Sequence, residues 1–498
     1  MQIKEAILKE YFGYDEFRVG QADIIDSLLN RRDVLCVMPT GGGKSMCFQI
    51  PSIMLPGVTI VVSPLISLMK DQVAALVRSG VKAAYINSSL TSRQLKLVHQ
   101  RAATGAYKII YTAPERLNTP EFLSLCRYLD ISMVTVDEAH CVSHWGQDFR
   151  PSYLEISAFV DSLPVRPVVG AFTATATDTV RNDIVKMLQL RDPYTRVTGF
   201  DRSNLYFEVR KPTDRNVDLL EFVSQRPDRY GIVYCSTRDN VRFVGNYLKD
   251  NGIKAEFYHA GLDDTFRRKA QDDFTFDRVN VLVATNAFGM GIDKSNVSFV
   301  VHYNMPGSME AYYQEAGRAG RDGSPSECLM FYNGQDYRTH KFFIENDSGS
   351  NLPPDLQAEK RRLDYKRLQI MMDYVKTDKC LREYILHYFG EIASDKCGNC
   401  APCLGVKSQP SQPSQPKVSR RQAAAVCSDP ALFETLRAVR KKLAETDSIP
   451  AFVVFSDVSL RDMVEKRPQN EAEFLEIHGV GQEKLKRYGQ AFLEQLKN

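Results

Sequence analysis

The chain of 498 residues contains no run approaching the ~18 consecutive apolar residues that a membrane-spanning helix requires. Its first residues, MQIKEAILKE, alternate charged and aliphatic side chains and lack the apolar core of a secretory signal. These absences favour an intracellular, cytoplasmic protein. Strong charge is also missing, because 64 basic side chains stand against 61 acidic ones and leave a net charge of +3. Bulk charge therefore identifies no partner, and any polyanion site has to be argued from local residues.

Closely spaced cysteines are absent from most of the chain. Seven of the eleven lie apart, mostly in apolar segments, as small core residues do: Cys36, Cys47, Cys126, Cys141, Cys235, Cys328 and Cys427. The other four are Cys380, expected on a helix, and Cys397, Cys400 and Cys403 at two-residue spacing. Four such thiolates suit a tetrahedral, structural Zn²⁺, because a Cys₄ site leaves no open coordination position. An intracellular setting argues against disulfides, and reduced, metal-free cysteines are the alternative.

A strict phosphate-binding loop is missing as well, because Met38 stands where G-x-x-x-x-G-K-[ST] has its first glycine. The remainder, TGGGKS, follows the apolar run 34–37 and precedes a predicted helix. Glycines between a strand and a helix direct several backbone N–H groups into one concavity, which suits polyphosphate. Lys44 is placed to reach the β- and γ-phosphates and the Ser45 hydroxyl to bind Mg²⁺. A flexible glycine-rich turn is the alternative. The candidate phosphate-binding residues are Thr40, Gly41, Gly42, Gly43, Lys44 and Ser45.

Three residues upstream of this loop suit an adenine ring. Tyr14, Arg18 and Gln21 lie three to four residues apart, so we expect them together on one helical turn. Adenine requires a stacking surface and a side chain that both donates and accepts hydrogen bonds, and Gln21 does both. An ordinary helix N-terminus is the alternative.

Strand and helix signals then alternate, as in residues 59–76 and 108–117. This pattern predicts a parallel, doubly wound sheet with ligands at the carboxyl ends of the strands. Ser63, Lys70, Thr112 and Arg116 stand at those ends, where hydroxyls and cations commonly hold the phosphates of a bound nucleic acid. Helix capping is the alternative for each of them.

The strand signal in residues 133–136 ends in two carboxylates, Asp137 and Glu138. Asp137 is placed to hold the Mg²⁺ that bridges the phosphates, and Glu138 to orient or deprotonate an attacking water. A strand-end Asp-Glu pair is common by itself, but its position after TGGGKS indicates nucleotide hydrolysis. The hydroxyls of Thr173 and Thr175, after a later strand, are candidates to link the nucleotide to a bound strand.

Aromatic side chains are concentrated directly after these carboxylates, in residues 141–153. The segment holds His144, the single tryptophan Trp145, Phe149, Arg150 and Tyr153. Aromatic rings interleaved with a cation offer stacking surfaces for exposed bases, each worth about 1–3 kcal/mol. A buried aromatic cluster is the alternative.

Near residue 200 the strand and helix pattern restarts without a phosphate loop, which predicts a second parallel sheet. It ends in YYQEAGRAGRDG, with Gln314, Arg318 and Arg321. Two arginines three residues apart share one face of a helix. One of them is a candidate arginine finger, worth about 10³–10⁵ in rate where such a finger operates. A plain surface pair is the alternative.

The sequence pattern of the C-terminal part changes twice. Residues 405–427 repeat Ser-Gln-Pro without apolar periodicity, which predicts an extended, semi-rigid linker. Helical periodicity resumes at about residue 428, where Asp429 is expected to cap a helix that begins at Pro430. Near its end, Lys484, Lys486, Arg487 and Tyr488 are candidates for DNA contacts, with a solvated basic face as the alternative.

The motifs FRVGQ, TGGGKS, SPLISLMKDQ, TAPERL, DEAH, the WGQDFRPSY loop, FTATAT, YCSTR, AFGMGID and QEAGRAGRDG occur in this order. In this set the chain resembles the RecQ family of DNA helicases, within superfamily two, over about residues 11–403. The resemblance implies two RecA-like domains with ATP between them and 3′ to 5′ movement on single-stranded DNA. The resemblance assigns Tyr14, Arg18 and Gln21 to adenine, Lys44 and Ser45 to phosphate and Mg²⁺, and Asp137 and Glu138 to metal and water. It also assigns Trp145, Phe149 and Arg150 to DNA-coupled activation, with Arg318 and Arg321 reaching the ATP from the second domain.

Residues 428–498 resemble the small helical domain, HRDC, shared by these helicases and ribonuclease D. Longer family members place a winged-helix domain between the zinc module and this domain, whereas no residues are left here to build one.

We therefore predict an α/β protein with two RecA-like domains (1–201 and 202–340), a zinc-binding subdomain (341–404), a linker (405–427) and an HRDC-like domain (428–498). The predicted function is an ATP-dependent 3′–5′ DNA helicase in recombination and repair, with ATP, Mg²⁺ and Zn²⁺. Expected partners are single-stranded and tailed duplex DNA and a single-strand-binding protein, with the chain a monomer. The alternatives are an RNA helicase and an ATP-switched DNA-binding or annealing factor.

Overall fold

A computed structural model describes residues 3–146, 148–288, 294–346, 354–406 and 428–497. The predicted linker residues 407–427 and most of the AFGMGID motif (289–293) lie outside these ranges. In the described part of the chain, no helix combines the length and the apolar character needed to cross a bilayer.

The first lobe is built on a parallel sheet of seven strands. In chain order they are β1 (Val34–Val37), β2 (Val58–Val62), β3 (Ala83–Ile86), β4 (Ile109–Thr112), β5 (Ile131–Val136), β6 (Val168–Thr173) and β7 (Tyr194–Val197). Across the sheet the order is β3-β4-β2-β5-β6-β1-β7. Residues of β1, β2, β4, β5 and β6 are buried throughout, as expected for strands covered by helices on both faces.

The second lobe repeats this design with six parallel strands. They are β8 (Leu205–Arg210), β9 (Tyr230–Tyr234), β10 (Ala255–Tyr258), β11 (Val281–Ala284), β12 (Val297–His302) and β13 (Ser326–Phe331). Their order across the sheet is β10-β11-β9-β12-β13-β8. The prediction of two parallel-sheet, RecA-like domains is thus confirmed. A short segment, residues 198–204, connects β7 of the first lobe to β8 of the second.

Helices cover both sheets and form the C-terminal part. On the first lobe they are α1 (Ile3–Ile7), α2 (Gln21–Leu29), α3 (Lys44–Met54), α4 (Ile66–Arg78), α5 (Ser92–Ala103), α6 (Pro120–Cys126), α7 (Ile156–Asp161) and α8 (Asp178–Met187). On the second they are α9 (Arg215–Ser224), α10 (Arg238–Asp250), α11 (Asp264–Thr275), α12 (Met309–Ala316) and α13 (Gly334–Glu345). Short 3₁₀ or π turns occupy Leu8–Phe12, Pro114–Arg116, Ala139–Val142, Pro151–Glu155, Pro402–Leu404 and Leu485–Gly489.

The remaining helices belong to two smaller units. Those before the cysteine segment are α14 (Pro354–Lys376) and α15 (Leu381–Tyr388). Those of the C-terminal domain are α16 (Pro430–Thr446), α17 (Ala451–Val454), α18 (Asp457–Lys466), α19 (Glu471–Phe474), α20 (Gln482–Lys484) and α21 (Gln490–Leu496). The predicted cap is confirmed, because the Asp429 side chain accepts a hydrogen bond from the backbone N–H of Leu432 at 3.0 Å.

Strand register decides which loops meet at the carboxyl end of the first sheet. Val37, the last residue of β1, pairs with Thr173, the last residue of β6. Val136 at the end of β5 pairs with Ala171 of β6. The loops after β1, β5 and β6, the first and last of which follow Val37 and Thr173, therefore leave the sheet side by side, as ligand sites of parallel sheets require.

Candidate active site

The phosphate loop follows β1 directly and ends in α3. Gly41 and Gly43 have φ angles of +80° and +89°, a backbone conformation that favours glycine. Met38 is buried, and a Cβ on Gly42 would lie 2.6 Å from Met38 Cγ, so the methionine fills the space beneath the loop. In place of the missing first glycine the loop therefore has a packed side chain beneath it. Lys44 Nζ donates to Met38 O at 2.9 Å across the loop.

Gln21 and Arg18 hold the phosphate loop from the N-terminal side. Gln21 Nε2 donates to Gly43 O at 3.1 Å, its Oε1 accepts from the backbone N–H of Arg18 at 2.8 Å, and the Arg18 guanidinium donates to Gly41 O. The prediction that Tyr14, Arg18 and Gln21 share a helical turn is wrong. Only Gln21 is helical, because α2 begins there after Gly20 at φ +83°, whereas the other two lie in the preceding loop.

The two carboxylates stand at the end of β5, beside the phosphate loop. The pKa of Asp137 is raised to about 7, mainly by burial and secondly by repulsion from Glu138, while the Lys44 cation opposes this rise. Glu138 occupies the left-handed region at φ +49°, which is strained for a residue with a side chain and costs of order 1–3 kcal/mol. Its Oε2 atom is buried without a hydrogen bond. A buried, unsatisfied carboxylate oxygen here fits a water or a polar ligand group.

His140 connects these carboxylates to the end of β6. Its Nδ1 atom lies 2.8 Å from Thr173 Oγ1 and 3.4 Å from Glu138 Oε2. Burial lowers the pKa of His140, so the ring is neutral at pH 7. Thr173 Oγ1 in turn lies 3.1 Å from Thr175 O and donates to it. The two threonines thus belong to one network with the carboxylates.

The aromatic segment after the carboxylates folds back onto them. Tyr153 is buried and its hydroxyl donates to Asp137 O at 2.9 Å, while Arg150 Nη1 donates to Pro64 O at 3.0 Å. The His144 and Phe149 rings lie 4.0 Å apart, and both stay partly exposed, as does Trp145. Tyr153 is therefore no base-stacking surface, whereas the His144, Trp145 and Phe149 rings are partly exposed in the segment that follows Asp137 and Glu138.

The arginine-bearing segment of the second lobe reaches the phosphate loop. A Cβ on Gly41 would lie 3.6 Å from Arg321 Cα. The prediction that Arg318 and Arg321 share a helical face is wrong, because α12 ends at Ala316 and both arginines lie in the turns of residues 317–322. Arg318 is buried, with Tyr234 among its neighbours, whereas Arg321 is partly exposed at the cleft.

Arg202, in the segment that connects the lobes, joins both sides of this cleft. Its Nη1 donates to Thr40 O at 2.7 Å, and its Nη2 donates to Gly320 O at 2.7 Å and Ala319 O at 3.0 Å. Sequence reasoning missed this residue, since its acceptors are backbone carbonyls, which leave no pattern in the sequence.

The four residues predicted at the other strand ends differ in exposure. Ser63 and Thr112 are buried, and the Thr112 hydroxyl donates to Ile86 O at 3.2 Å. Lys70 is exposed and Arg116 is partly exposed. Only the two cations therefore present side chains to solvent, and contact between the two hydroxyls and a nucleic acid stays a prediction.

The four cysteines of the predicted metal site come together. Their sulfur atoms all lie within 4.8 Å of one another, with 3.8 Å between Cys380 and Cys400 and 4.0 Å between Cys397 and Cys403. A zinc–sulfur distance of about 2.3 Å places the thiolates of a tetrahedron ~3.8 Å apart, so the cluster fits Zn²⁺. Contrary to expectation, Cys380 is not inside a helix; it caps α15 and accepts a hydrogen bond from Glu383 N.

The C-terminal domain contradicts part of the predicted DNA contact. Tyr488 is buried in the domain core and its hydroxyl donates to Asp447 Oδ2 at 2.7 Å. Lys484 is partly buried above the Phe455 ring, and burial together with Arg78 lowers its pKa to about 8. The Tyr488 side chain serves packing, because every third or fourth residue of a helical segment faces its core, whereas contact of Lys484 with DNA stays a prediction. Lys486 and Arg487 are exposed.

The same domain packs against both lobes. The backbone N–H of Gly479 donates to Gly13 O at 3.1 Å, and the His478 ring meets the Tyr14 ring edge-on at 5.2 Å. On the second lobe, Arg461 Nη1 donates to Ser324 Oγ at 3.0 Å. No sequence pattern predicts this docking, which places His478 against Tyr14, the tyrosine predicted to stack on adenine.

Four family models match successive parts of the chain. They are the DEAD/DEAH box helicase (residues 18–183), the helicase conserved C-terminal domain (214–323), the RecQ zinc-binding domain (334–404) and the HRDC domain (429–496).

Solved structures share the fold of the two lobes. Dbp5 of S. cerevisiae, bound to RNA and ADP BeF3, superposes with a TM-score of 0.55 at 19% identity, over 74% of this chain and 96% of that chain. The helicase MrfA bound to DNA also gives a TM-score of 0.55, at 17% identity, over 74% and 54%. At such low identity the likeness extends to the fold alone.

Curated relatives match over nearly the full length. The ATP-dependent DNA helicase RecQ of Bacillus subtilis is 38% identical over 99% of this chain and 98% of its own. The protein of that name from Pasteurella multocida is 33% identical over 98% and 92%. The first alignment spans 587 positions, more than the 498 residues present here, so part of that relative has no counterpart in this chain. Together with the matching zinc-binding and HRDC regions, this similarity means that the chain belongs to the RecQ family of superfamily-two helicases.

Proposed function

We propose that this chain is an ATP-dependent DNA helicase that moves 3′ to 5′ along single-stranded DNA and opens duplexes in recombination and repair. The observation that carries the proposal is the convergence of three elements at one cleft. The phosphate loop and the carboxylates leave adjacent strands of the first sheet, and the segment around Arg321 approaches Gly41 from the second lobe. A cleft between two such lobes can close on a nucleotide and transmit the closure to a bound strand.

The residue roles within this proposal follow from position. The phosphate-loop amides and Lys44 bind the β- and γ-phosphates, and Ser45 with Asp137 holds Mg²⁺. Bound there, Mg²⁺ neutralises charge on the phosphate oxygens. Glu138, whose buried Oε2 makes no hydrogen bond, orients the attacking water and accepts its proton, and Arg321 stabilises the charge of the transferring phosphoryl group.

Adenine recognition involves the loop before α2. Tyr14 offers a ring, and Gln21 bonds both Arg18 N and Gly43 O. A base that competes for the Gln21 amide would therefore also alter the phosphate loop. This arrangement links the identity of the base to the conformation of the loop that holds its phosphates.

Nucleic-acid coupling rests on the aromatic segment. Stacking of bases on Trp145 and Phe149 would shift a segment whose Tyr153 and Arg150 contact Asp137 O and Pro64 O. The Trp145 carbonyl also accepts a hydrogen bond from Arg367 of α14, which ties the same segment to the unit that carries the cysteines. Lys70, Arg116, Lys486 and Arg487 are exposed cations suited to phosphates, with Ser63 and Thr112 as further candidates.

The decisive experiment is unwinding of a short duplex with a 3′ single-stranded tail, compared with a 5′-tailed duplex of the same sequence. We expect ATP-dependent opening of the 3′-tailed substrate only. ATP hydrolysis without opening of either substrate would favour an ATP-switched annealing factor, a reading consistent with the part of the relatives that has no counterpart here. Stronger stimulation of hydrolysis by RNA than by DNA of one sequence would indicate an RNA helicase.

We further propose that the chain works as a monomer and that a single-strand-binding protein is a partner. A sedimentation coefficient of a dimer under unwinding conditions would contradict the first statement. Unwinding that is unaffected by the single-strand-binding protein, together with no complex in solution, would contradict the second.

A further inference from the structure

Arg202 makes contacts that none of the proposed roles uses. The side chain is partly buried between the lobes, and its guanidinium donates to backbone carbonyls of both: Thr40 on one side and Gly317, Ala319 and Gly320 on the other. Arginine suits this place, since its planar fork holds several acceptors in fixed directions while remaining charged at pH 7.

Glycines on both sides make this close approach possible. A Cβ on Gly41 would lie 3.3 Å from Arg202 Nη1, and one on Gly317 would lie 3.6 Å from Thr40 Cβ. A Cβ on Gly320, which has a φ of +58°, would collide with Asn204 Nδ2. That amide donates to Gly320 O at 2.9 Å and so fixes the same turn. The glycines of the arginine-bearing segment thus serve the contact between the lobes.

The segment that carries Arg202 is itself held by the unit with the four cysteines. Arg382, which is buried, donates to Asp201 Oδ1 at 2.6 Å and to Arg202 O at 2.5 Å. Asn399, between two of the cysteines, donates to Ser203 O at 3.0 Å. The Phe389 ring at the end of α15 stacks on Phe200 at 4.5 Å. The backbone on both sides of Arg202 is therefore fixed from outside the two lobes.

We propose that Arg202 is a positioning residue for ATP hydrolysis, which holds the arginine-bearing turn against the phosphate loop so that Arg321 faces the γ-phosphate. This inference rests on the proposed function. Arg202 acts through Arg321 and through the loop backbone, since its donors are engaged by carbonyls and the side chain has no direct task in the reaction. The cysteine unit sets its place through Arg382 and Asn399, which gives that unit an influence on catalysis at a distance.

The test compares Arg202→Gln and Arg202→Lys with the wild-type chain. A glutamine amide reaches carbonyls of only one lobe, so we expect kcat for DNA-stimulated ATP hydrolysis to fall at least tenfold, while the Kd for a fluorescent ATP analogue changes less than threefold. Lysine keeps the charge but not the fork, so its kcat should lie between the other two. Arg32→Gln is the matched control, because Arg32 is an exposed arginine of the first lobe that bonds Asp192 and lies over the Tyr194 ring.

A second measurement reports directly on the contact between the phosphate loop and the arginine-bearing turn. Hydrogen exchange measured by mass spectrometry should become faster in peptides that contain Thr40–Gly43 and Gly317–Gly323 in Arg202→Gln, with unchanged exchange in β2 and β9. An unchanged kcat would overturn the inference, and so would a loss confined to nucleotide affinity, which would make Arg202 a phosphate ligand. If the glutamine variant does not fold, the lysine variant decides, and wild-type kcat in it would overturn the inference. Failure of the proposed function is distinct, since the wild-type chain itself would then show no DNA-stimulated hydrolysis.

Discussion

Replacement of Glu138 by glutamine separates nucleotide binding from hydrolysis. The substitution keeps the size of the side chain and removes its charge and its ability to accept a proton. The Oε2 atom makes no hydrogen bond and lies 3.4 Å from His140 Nδ1, a contact that the glutamine amide can also make. The loop backbone, with Glu138 at φ +49°, imposes the same conformation on either residue. We therefore expect a folded protein with an unaltered phosphate loop.

The magnitude follows from what the carboxylate does. A positioned general base contributes about 10²–10⁴ in rate, so kcat should fall by that factor, equivalent to about 3–5 kcal/mol of lost transition-state stabilisation. ATP binding should persist, because Lys44 and the loop amides are untouched. Since repulsion from Glu138 is the second cause that raises the pKa of Asp137, this pKa should fall below its present value of about 7.

The assay is steady-state ATP hydrolysis with saturating single-stranded DNA, accompanied by titration of a fluorescent ATP analogue. Glu155→Gln is the control, because Glu155 is an exposed carboxylate of the same lobe that contacts Asn118. Turnover of Glu138→Gln at the wild-type rate would refute the assignment of the base. Loss of nucleotide binding would refute the separation of the two steps.

Three further predictions concern the aromatic segment, the C-terminal domain and the cysteine cluster. Emission of Trp145, the single tryptophan, should change on addition of single-stranded DNA, since its ring is partly exposed beside the carboxylates; an identical spectrum at saturating DNA would remove its proposed role. Lys484→Met should raise Tm by about 2–4 °C at pH 7, because the wild type carries a partly buried charge near Arg78. Above about pH 8 the folded wild type loses the Lys484 proton, whereas the unfolded chain keeps it up to a pKa of about 10.4, so wild-type stability should rise with pH. The Tm advantage of Lys484→Met should therefore shrink between pH 8 and 10. A constant Tm difference across that range would contradict this prediction. Cys400→Ser should reduce bound zinc from one ion to none per chain, as measured by metal analysis, and should lower Tm, as measured by calorimetry. Full zinc content in that variant would exclude the four-cysteine site.

The local chemistry of this protein is predictable from its amino-acid sequence. Glycines at positive φ, the alternation of buried strands with helices, two carboxylates after a strand and the spacing of the cysteines each depend on neighbouring residues. Local geometry then fixes the result: a strand that enters a helix through Gly41 and Gly43 exposes its amides wherever the element lies in the fold. Capping by Asp429 was predictable for the same reason.

Contacts between distant segments determine which of these elements meet and which side chains stay exposed. The pairing of Val37 with Thr173 brings loops together that are 136 positions apart, and no local pattern encodes this pairing. A functional role of Arg202 was not predictable from the sequence, because its partners are backbone carbonyl groups, which every residue possesses. Tyr488 looked like a DNA contact because its hydroxyl and ring suit one, yet the packing of the C-terminal helices turns it toward Asp447. Residue type states what a side chain is able to do, whereas burial and neighbours, set by contacts between distant segments, decide what it does.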